Sequence, residues 1–428
     1  MLFLMKKLLP LLLVALSIIL PSCATSGGTS GADAVTMDGG TVPVVMEPAD
    51  EAAGEARDTD PADGTDDVSL PEEAAGVEEA AAAVIDYKSL FQTAESWTPE
   101  DVADAIAAGA DVNAIDEDGM TALMHAAESN DDPEVIKALI DAGADVNARN
   151  NVEWFIFVGM TPLMYAAGYS DNPEVVTALL NAGADVNAKD NLGWTPLLHS
   201  TDTSRSSSEV ITALINAGAD VNAKSNSGYT ALQNAIFSNA KPEVVKTLID
   251  AGADVNAKSG SGSTALMNAI WVNTDPEVIQ ILLDAGADVN AKDEFNDRTV
   301  LMSAVRSSYD SEVITALLNA GADVNAKNDS GWTALMFATR YNDNPGIIST
   351  LIDAGANVNA RNNDGWTPLM ISARYSKNPE VITMLIDAGA DARLRQKGGY
   401  SSVDLIGYND VLKDTYAYWE LYDAARRL

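Results

Sequence analysis

One heptapeptide constrains this chain more than any other feature. Ala-Gly-Ala-Asp-Val-Asn-Ala stands at 108–114, 142–148, 182–188, 217–223, 251–257, 285–291 and 320–326. It returns with Asn for Asp at 354–360 and decays to Ala388-Gly389-Ala390-Asp391-Ala392. Its glycines are separated by 34, 40, 35, 34, 34, 35, 34 and 34 residues. A fixed period of this size is the mark of a solenoid, in which each unit buries its apolar face only against the units before and after it.

The stretch between two heptapeptides reads as two short helices. In Gly159-Met160-Thr161-Pro162-Leu163-Met164-Tyr165-Ala166-Ala167, Thr161 suits an N-cap and Pro162 the first helical position. Asn172-Pro173-Glu174 repeats that logic, with an acid placed on the positive end of the helix dipole. Val175, Val176, Leu179 and Leu180 then form one apolar stripe at helical spacing. Gly183 supplies the left-handed residue that stops the second helix, and the polar stretch from Lys189 to Leu192 is a turn leading to Gly193 and the next unit.

Gly-x-Thr-Pro-Leu, Ala-Ala, the Val-Val/Leu-Leu helix and Ala-Gly-Ala-Asp-Val-Asn-Ala, nine times in register, resemble the ankyrin repeat. The resemblance implies an all-α repeat solenoid of about ten units, with helix–loop–helix layers, projecting hairpin fingers and a concave protein-binding surface. The array spans 85–428: an N-terminal cap unit over 85–118, eight repeats over 119–398, and a C-terminal cap unit over 399–428 whose last helix runs from Asp410 to Leu428. Tyr416, Tyr418, Trp419 and Tyr422 of that helix are expected to pack as the cap. The sequence departs from the family in one column. Where ankyrin units often carry His after Thr-Pro-Leu, this chain has Met124, Met164, Leu198, Gln233, Met267, Met302, Met336 and Met370. The usual His hydrogen bond is expected to be absent, an apolar side chain filling its space.

The N-terminus reads as an address. Lys6 and Lys7 precede an apolar run from Leu8 to Leu20, bracketed by Pro10 and Pro21, which fits a signal peptide over 1–22. Leu20-Pro21-Ser22-Cys23 resembles a bacterial lipobox, which implies a lipid-modified Cys23; the alternative is ordinary cleavage near Ala24 and a free soluble protein. Residues 23–84 read as a tether. Over 24–84, fifteen acids stand against Arg57 among Gly, Ala, Ser, Thr and Pro, too little apolar surface to offset the entropy of ordering.

Charge and composition narrow the function. The formal net charge of −37 argues against a nucleic-acid partner. A single cysteine and two histidines, His125 and His199, leave little for thiol, disulfide or metal chemistry. The histidines share one column with Tyr165, Asn234 and Phe337 and read as repeat variation. Gly260-Ser261-Gly262-Ser263-Thr264 lacks the lysine of a phosphate loop. The expectation is a non-catalytic, monomeric scaffold without cofactor, anchored in the bacterial cell envelope through Cys23 and binding another protein. The alternatives are a secreted or surface-exposed effector of host proteins, and an envelope hydrolase or small-molecule binder.

Columns that vary while the scaffold repeats mark the candidate surface. The finger residue inside Gly-x-Thr includes Trp194, Tyr229, Trp332 and Trp366. Seven residues after the Thr come Glu128, Gly168, Asp202, Phe237, Trp271, Arg306, Arg340 and Arg374, and the next column holds Tyr169, Tyr341 and Tyr375. Trp, Tyr and Arg are the usual anchors of interfaces. The candidate contact set is Trp332, Arg340, Tyr341, Trp366, Arg374 and Tyr375, joined by Trp194, Tyr229 and Trp271; the alternative is that the finger aromatics stack on neighbouring units, with Arg capping their faces. An elongated finger adds Trp154, Phe155 and Phe157, either as a partner anchor or folded back on the array. A basic column, Arg149, Lys189, Lys224, Lys258, Lys292, Lys327 and Arg361, is expected to balance the Asp column of Ala-Gly-Ala-Asp; the alternatives are contact with an acidic partner or with the chain's own acidic tether.

Overall fold

The computed structural model describes residues 94–427, apart from 152–156, 203–206, 273, 295, 308–310 and 343. All of them belong to one unit of the chain, Glu79–Leu428. The signal-peptide and tether readings, Cys23, Trp154 and Phe155 lie outside the described residues.

Among the described residues there are nineteen α-helices and no strand, only isolated bridges such as Ile115 with Thr121 at the base of a finger. The helices alternate as the caps dictate. In first helices the hydroxyls of Thr121, Thr195, Thr230, Thr333 and Thr367 each accept the backbone N–H three residues on. Thr161 holds the same N-cap backbone conformation, but its buried hydroxyl finds no partner. In second helices Asp132, Asn172, Asp275, Asn344 and Asn378 accept the N–H two residues on, and Pro follows at the first helical position. Gly183 closes its helix at φ 91°; its N–H donates to Leu180 O at 3.0 Å and that of Ala184 to Leu179 O at 3.1 Å, the paired bonds of a left-handed helix stop.

First helices stack on first helices and second on second, each pair also packing within its own unit. Helix Pro162–Tyr169 buries Leu163, Met164, Ala166 and Ala167, and helix Pro173–Asn181 buries Val175, Val176 and Leu179. The expected apolar stripe therefore faces the core, except for Leu180, which stays half-buried.

The Met column retains part of the hydrogen-bonding role expected to be absent. Met124 Sδ accepts the Thr121 N–H at 3.5 Å and Met164 Sδ that of Thr161 at 3.3 Å. Gln233 goes further: its Oε1 accepts the Thr230 N–H at 3.2 Å, and its Nε2 donates to Ala257 O at 3.0 Å and Ser263 O at 2.8 Å. Gln233 thus ties the helix to the next finger.

The heptapeptides build a ladder between units. In each, the Asp Oδ1, or Asn357 Oδ1 in the 354–360 copy, accepts the N–H of the Asn two residues on, as Asp254 does from Asn256 at 3.0 Å. That Asn then reaches the next unit: Asn222 Oδ1 accepts the Asp254 N–H at 2.7 Å and Asn222 Nδ2 donates to Gly252 O at 3.0 Å. The same pair of bonds recurs at Asn113, Asn147, Asn187, Asn256, Asn290, Asn325 and Asn359. One amide has a donor and an acceptor on a short stem, so it satisfies both orphan groups of the neighbouring helix end.

The basic column is corrected by this geometry. Among the described residues none of its cations forms an ion pair with the Asp column, and Lys292 pairs with Asp297, at 3.2 Å. Instead Lys224 Nζ donates to Lys258 O at 2.8 Å, Lys327 Nζ to Arg361 O at 2.8 Å, and Arg149 to Lys189 O at 2.7 Å. Each of these three cations caps a carbonyl one finger along.

The C-terminal unit also departs from expectation. Its last helix begins at Tyr416, not Asp410, because Asp414 takes a left-handed φ of 65° and Thr415 then caps the Tyr418 N–H. The cap is packed by Leu412, Ala417 and Leu421, whereas Tyr416 and Trp419 are exposed. The expected ring packing is corrected for Tyr416, which the helical register turns away from Leu421; Trp419, though exposed, meets Tyr418 at 5.1 Å and Tyr422 at 6.2 Å.

Candidate partner-binding surface

The two variable columns fall at the C-terminal ends of the first helices, as with Arg340 and Tyr341 in Ala334–Tyr341 and Arg374 and Tyr375 in Pro368–Tyr375. An arginine there complements the negative end of the helix dipole. Because first helices stack, the same column repeats as a row across successive units.

In the C-terminal units that row is a ladder of alternating cations and rings. The Arg306 guanidinium lies 5.3 Å from the Tyr341 ring centre, and Arg340 lies 5.1 Å from Tyr341 and 3.9 Å from Tyr375. Arg374 lies 5.5 Å from Tyr375 and 5.8 Å from Tyr408, donating to Tyr408 O at 2.8 Å. Tyr341 is 51% and Tyr375 40% exposed. Among the described residues no carboxylate pairs with Arg306, Arg340 or Arg374. Tyr408 extends the ladder by one unit; it sits seven residues after Ser401, which replaces Thr as the cap, and that substitution hid the column in the sequence.

The finger aromatics play a different part. Trp332 and Trp366 are half-buried against Met336, Ala360 and Ile371. Trp332 meets Phe337 at 5.4 Å and Trp366 stacks on Tyr375 at 6.2 Å. They brace the ladder from below. Further along, Tyr229, Phe237 and Trp271 form an edge-on chain at 5.5 and 6.2 Å, with Trp271 67% exposed. The structure brings these into one row with the ladder's columns but not into ring contact with it.

Phe157 is placed inward. It is 7% exposed and meets Trp194 at 5.8 Å and His199 at 5.5 Å. The C-terminal end of the elongated finger thus folds back on the next unit. Its register is set by Asn191, whose Oδ1 accepts the Val158 N–H at 3.0 Å and whose N–H donates to Val158 O at 2.8 Å. Phe157 presents nothing to a partner, which corrects its inclusion in the contact set.

Toward the N-terminus the same row is acidic and phenolic. Burial holds the Asp202 carboxyl up at about 7, against the opposing effect of a hydrogen bond from Asn234. Burial also pushes the Tyr169 hydroxyl up to about 12, reinforced by Glu128 and Asp202, and raises Tyr165 further. The histidines are tied, not idle. His125 Nε2 lies 2.7 Å from Asp116 Oδ2 and His199 Nε2 lies 3.1 Å from Asp190 Oδ2. Each Asp opens the finger nine residues earlier. Where that position is Asn150, the helix carries Tyr165, whose hydroxyl accepts from Asn150 Nδ2 at 3.1 Å. This pairing of columns was the signal that repeat variation concealed. Among the described residues no three His, Cys, Asp or Glu side chains converge as metal ligands, and no helix is long and apolar enough to cross a membrane.

A family model for ankyrin repeats, in a three-copy form, matches residues 90–190, 168–259, 203–293, 241–328 and 301–396. The chain belongs to the ankyrin-repeat family. These overlapping matches cover well over half of the sequence. Among solved structures, the array is similar to the ankyrin repeat domain of Bcl-3, described as a unique member of the IkappaB protein family, at 31% identity and TM-score 0.46, over 53% of this chain and 99% of that one. Comparison with curated proteins finds no match. Ankyrin repeats are protein–protein interaction scaffolds, so the array's general role follows from the family.

Proposed function

We propose that this ankyrin array is a non-catalytic scaffold held at the bacterial cell envelope, binding a partner protein through the first-helix face of its C-terminal units. The observation that carries the reading is the Arg306–Tyr341–Arg340–Tyr375–Arg374–Tyr408 ladder, outward-facing and without carboxylate partners among the described residues. Rigid rings and pre-oriented guanidinium groups lose little side-chain entropy when a partner covers them. The anchoring half rests on the sequence: a signal peptide over 1–22, a lipobox-like Leu20-Pro21-Ser22-Cys23 and an acidic tether over 23–84. Several acyl chains at about 0.8 kcal/mol per buried CH₂ give stable attachment. The chain acts as a monomer and needs no cofactor.

The test is crosslinked capture from envelope extract with the full chain, beside a Tyr341→Ala/Tyr375→Ala variant. A protein held by the first and lost by the second supports the reading. Equal capture by both moves the site to Trp271 and its neighbours. Palmitate labelling that persists in Cys23→Ser contradicts the anchor.

A further inference from the structure

The ladder has a repeat distance, and that distance selects a ligand. Arg306, Arg340 and Arg374 occupy one column of three successive units, at intervals of 34 residues. Their helices, Val300–Arg306, Ala334–Tyr341 and Pro368–Tyr375, stack directly on one another, and packed helices lie about 8–10 Å apart. The face therefore presents one cation roughly every 9 Å, each set against tyrosine rings 3.9–5.8 Å away.

We infer that this row binds an extended acidic peptide segment of a partner protein that carries one carboxylate at every third residue in a polyproline II conformation. Such a helix has three residues per turn and rises about 3.1 Å per residue, so carboxylates at i, i+3 and i+6 share one face at about 9 Å intervals. A β-strand does not fit, since residues three apart point to opposite faces. A nucleic-acid duplex does not fit either, because the phosphates of each strand advance only about 3.4 Å along the helix axis per nucleotide. The guanidinium suits such a ligand, since its planar fork donates to a carboxylate while its face stays on a ring. Tyr341 and Tyr375 stand exposed between the cations, and because Phe337, Trp366 and the guanidinium groups lie against their faces, their outer edges meet proline or alanine residues between the acids.

Charge also fixes where on the array the segment sits. The same column is Glu128 and Asp202 toward the N-terminus, so an acidic segment finds no cation there and registers on the arginines. The net charge of −37 does not override this, because charges beyond about 8 Å are screened at physiological ionic strength.

This inference rests on the reading of the first-helix face as a partner surface, and its test separates the two. The full chain is titrated against a fluorescein-labelled peptide of four Asp-Pro-Ala triplets and against an isomer with its four Asp contiguous, with binding read by anisotropy. The expected result is roughly tenfold tighter binding of the triplet peptide. Arg306→Gln, Arg340→Gln and Arg374→Gln each weaken it by about threefold, and the triple variant loses the preference. Circular-dichroism melts establish that each variant is folded. Equal binding of the two isomers, or an unchanged preference in the triple variant, overturns the inference. If Tyr341→Ala/Tyr375→Ala still loses the captured partner in that case, the partner surface stands and only the acidic period falls; if capture is also unchanged, both fall.

Discussion

Each unit has a finger edge and a first-helix face, and the two use polar residues in opposite ways. At the finger edge Asp, Asn and Gly repeat with hardly a change, and their polar atoms are consumed internally: eight asparagines each bridge to the next unit through two hydrogen bonds. On the first-helix face the residues run from Glu128 and Asp202 through Phe237 and Trp271 to Arg306, Arg340 and Arg374, and the exposed rings of Trp271, Tyr341 and Tyr375 mark its outer side. Invariance here reports a bond that every layer must make. Variation reports freedom from that demand, and so a surface open to other uses. A basic residue means different things on the two sides: Lys224 caps a carbonyl, whereas Arg340 lies across two rings.

The contrast fails if the first-helix face proves important for stability. The largest effect is expected from neither side. Leu232→Ala empties a fully buried site and should cost about 3 kcal/mol in urea unfolding; a much smaller loss would mean the layers are loosely packed. Next comes Asn256→Ala, which removes the exposed hydrogen bonds to the Asp288 N–H and the Gly286 carbonyl. About 2 kcal/mol should be lost, with peptide binding unchanged. Asp202→Asn probes a difference within the face itself. The folded state keeps the Asp202 proton up to about pH 7, while the unfolded chain releases it near the ordinary carboxylate value. Stability therefore falls as pH rises from about 4 to 7; three pH units would give about 4 kcal/mol, and because Asp202 is only half-buried the expected drop is about 1–2 kcal/mol. The Asn variant should flatten that slope in unfolding curves taken across the window. Smallest is Arg340→Ala, expected to cost under about 1 kcal/mol of stability, since exposed cation–ring contacts are weak. Calorimetry that found several kcal/mol would make the ladder a structural brace.

Most of the fold was legible in the sequence. Caps, Pro at the first helical position and Gly183 as helix stop each act within a few residues, and repetition multiplied the signal. What depended on the next unit was harder to see. Which way Lys224 turns, and that Asn222 reaches across 30 residues to Gly252, are set by stacking distance, which no single unit encodes. The start of the last helix was hidden because Asp414 breaks it through its own backbone conformation, without a Gly or Pro to announce the stop. Of the contact set, Arg340, Tyr341, Arg374 and Tyr375 emerge together on one face. Trp332 and Trp366 brace them from the fingers, and Phe157 turns inward because the next unit offers Trp194 and His199.

If the finger edge folds the array and the first-helix face of its C-terminal units binds, the two functions separate by mutation. One paired measurement decides this: urea unfolding and partner capture on Tyr341→Ala/Tyr375→Ala, with Asn256→Ala as the counterpart. The tyrosine variant should lose capture while its stability stays within about 1 kcal/mol of the parent. The asparagine variant should keep capture and lose about 2 kcal/mol. A tyrosine variant that unfolds early yet captures normally would contradict this division of labour.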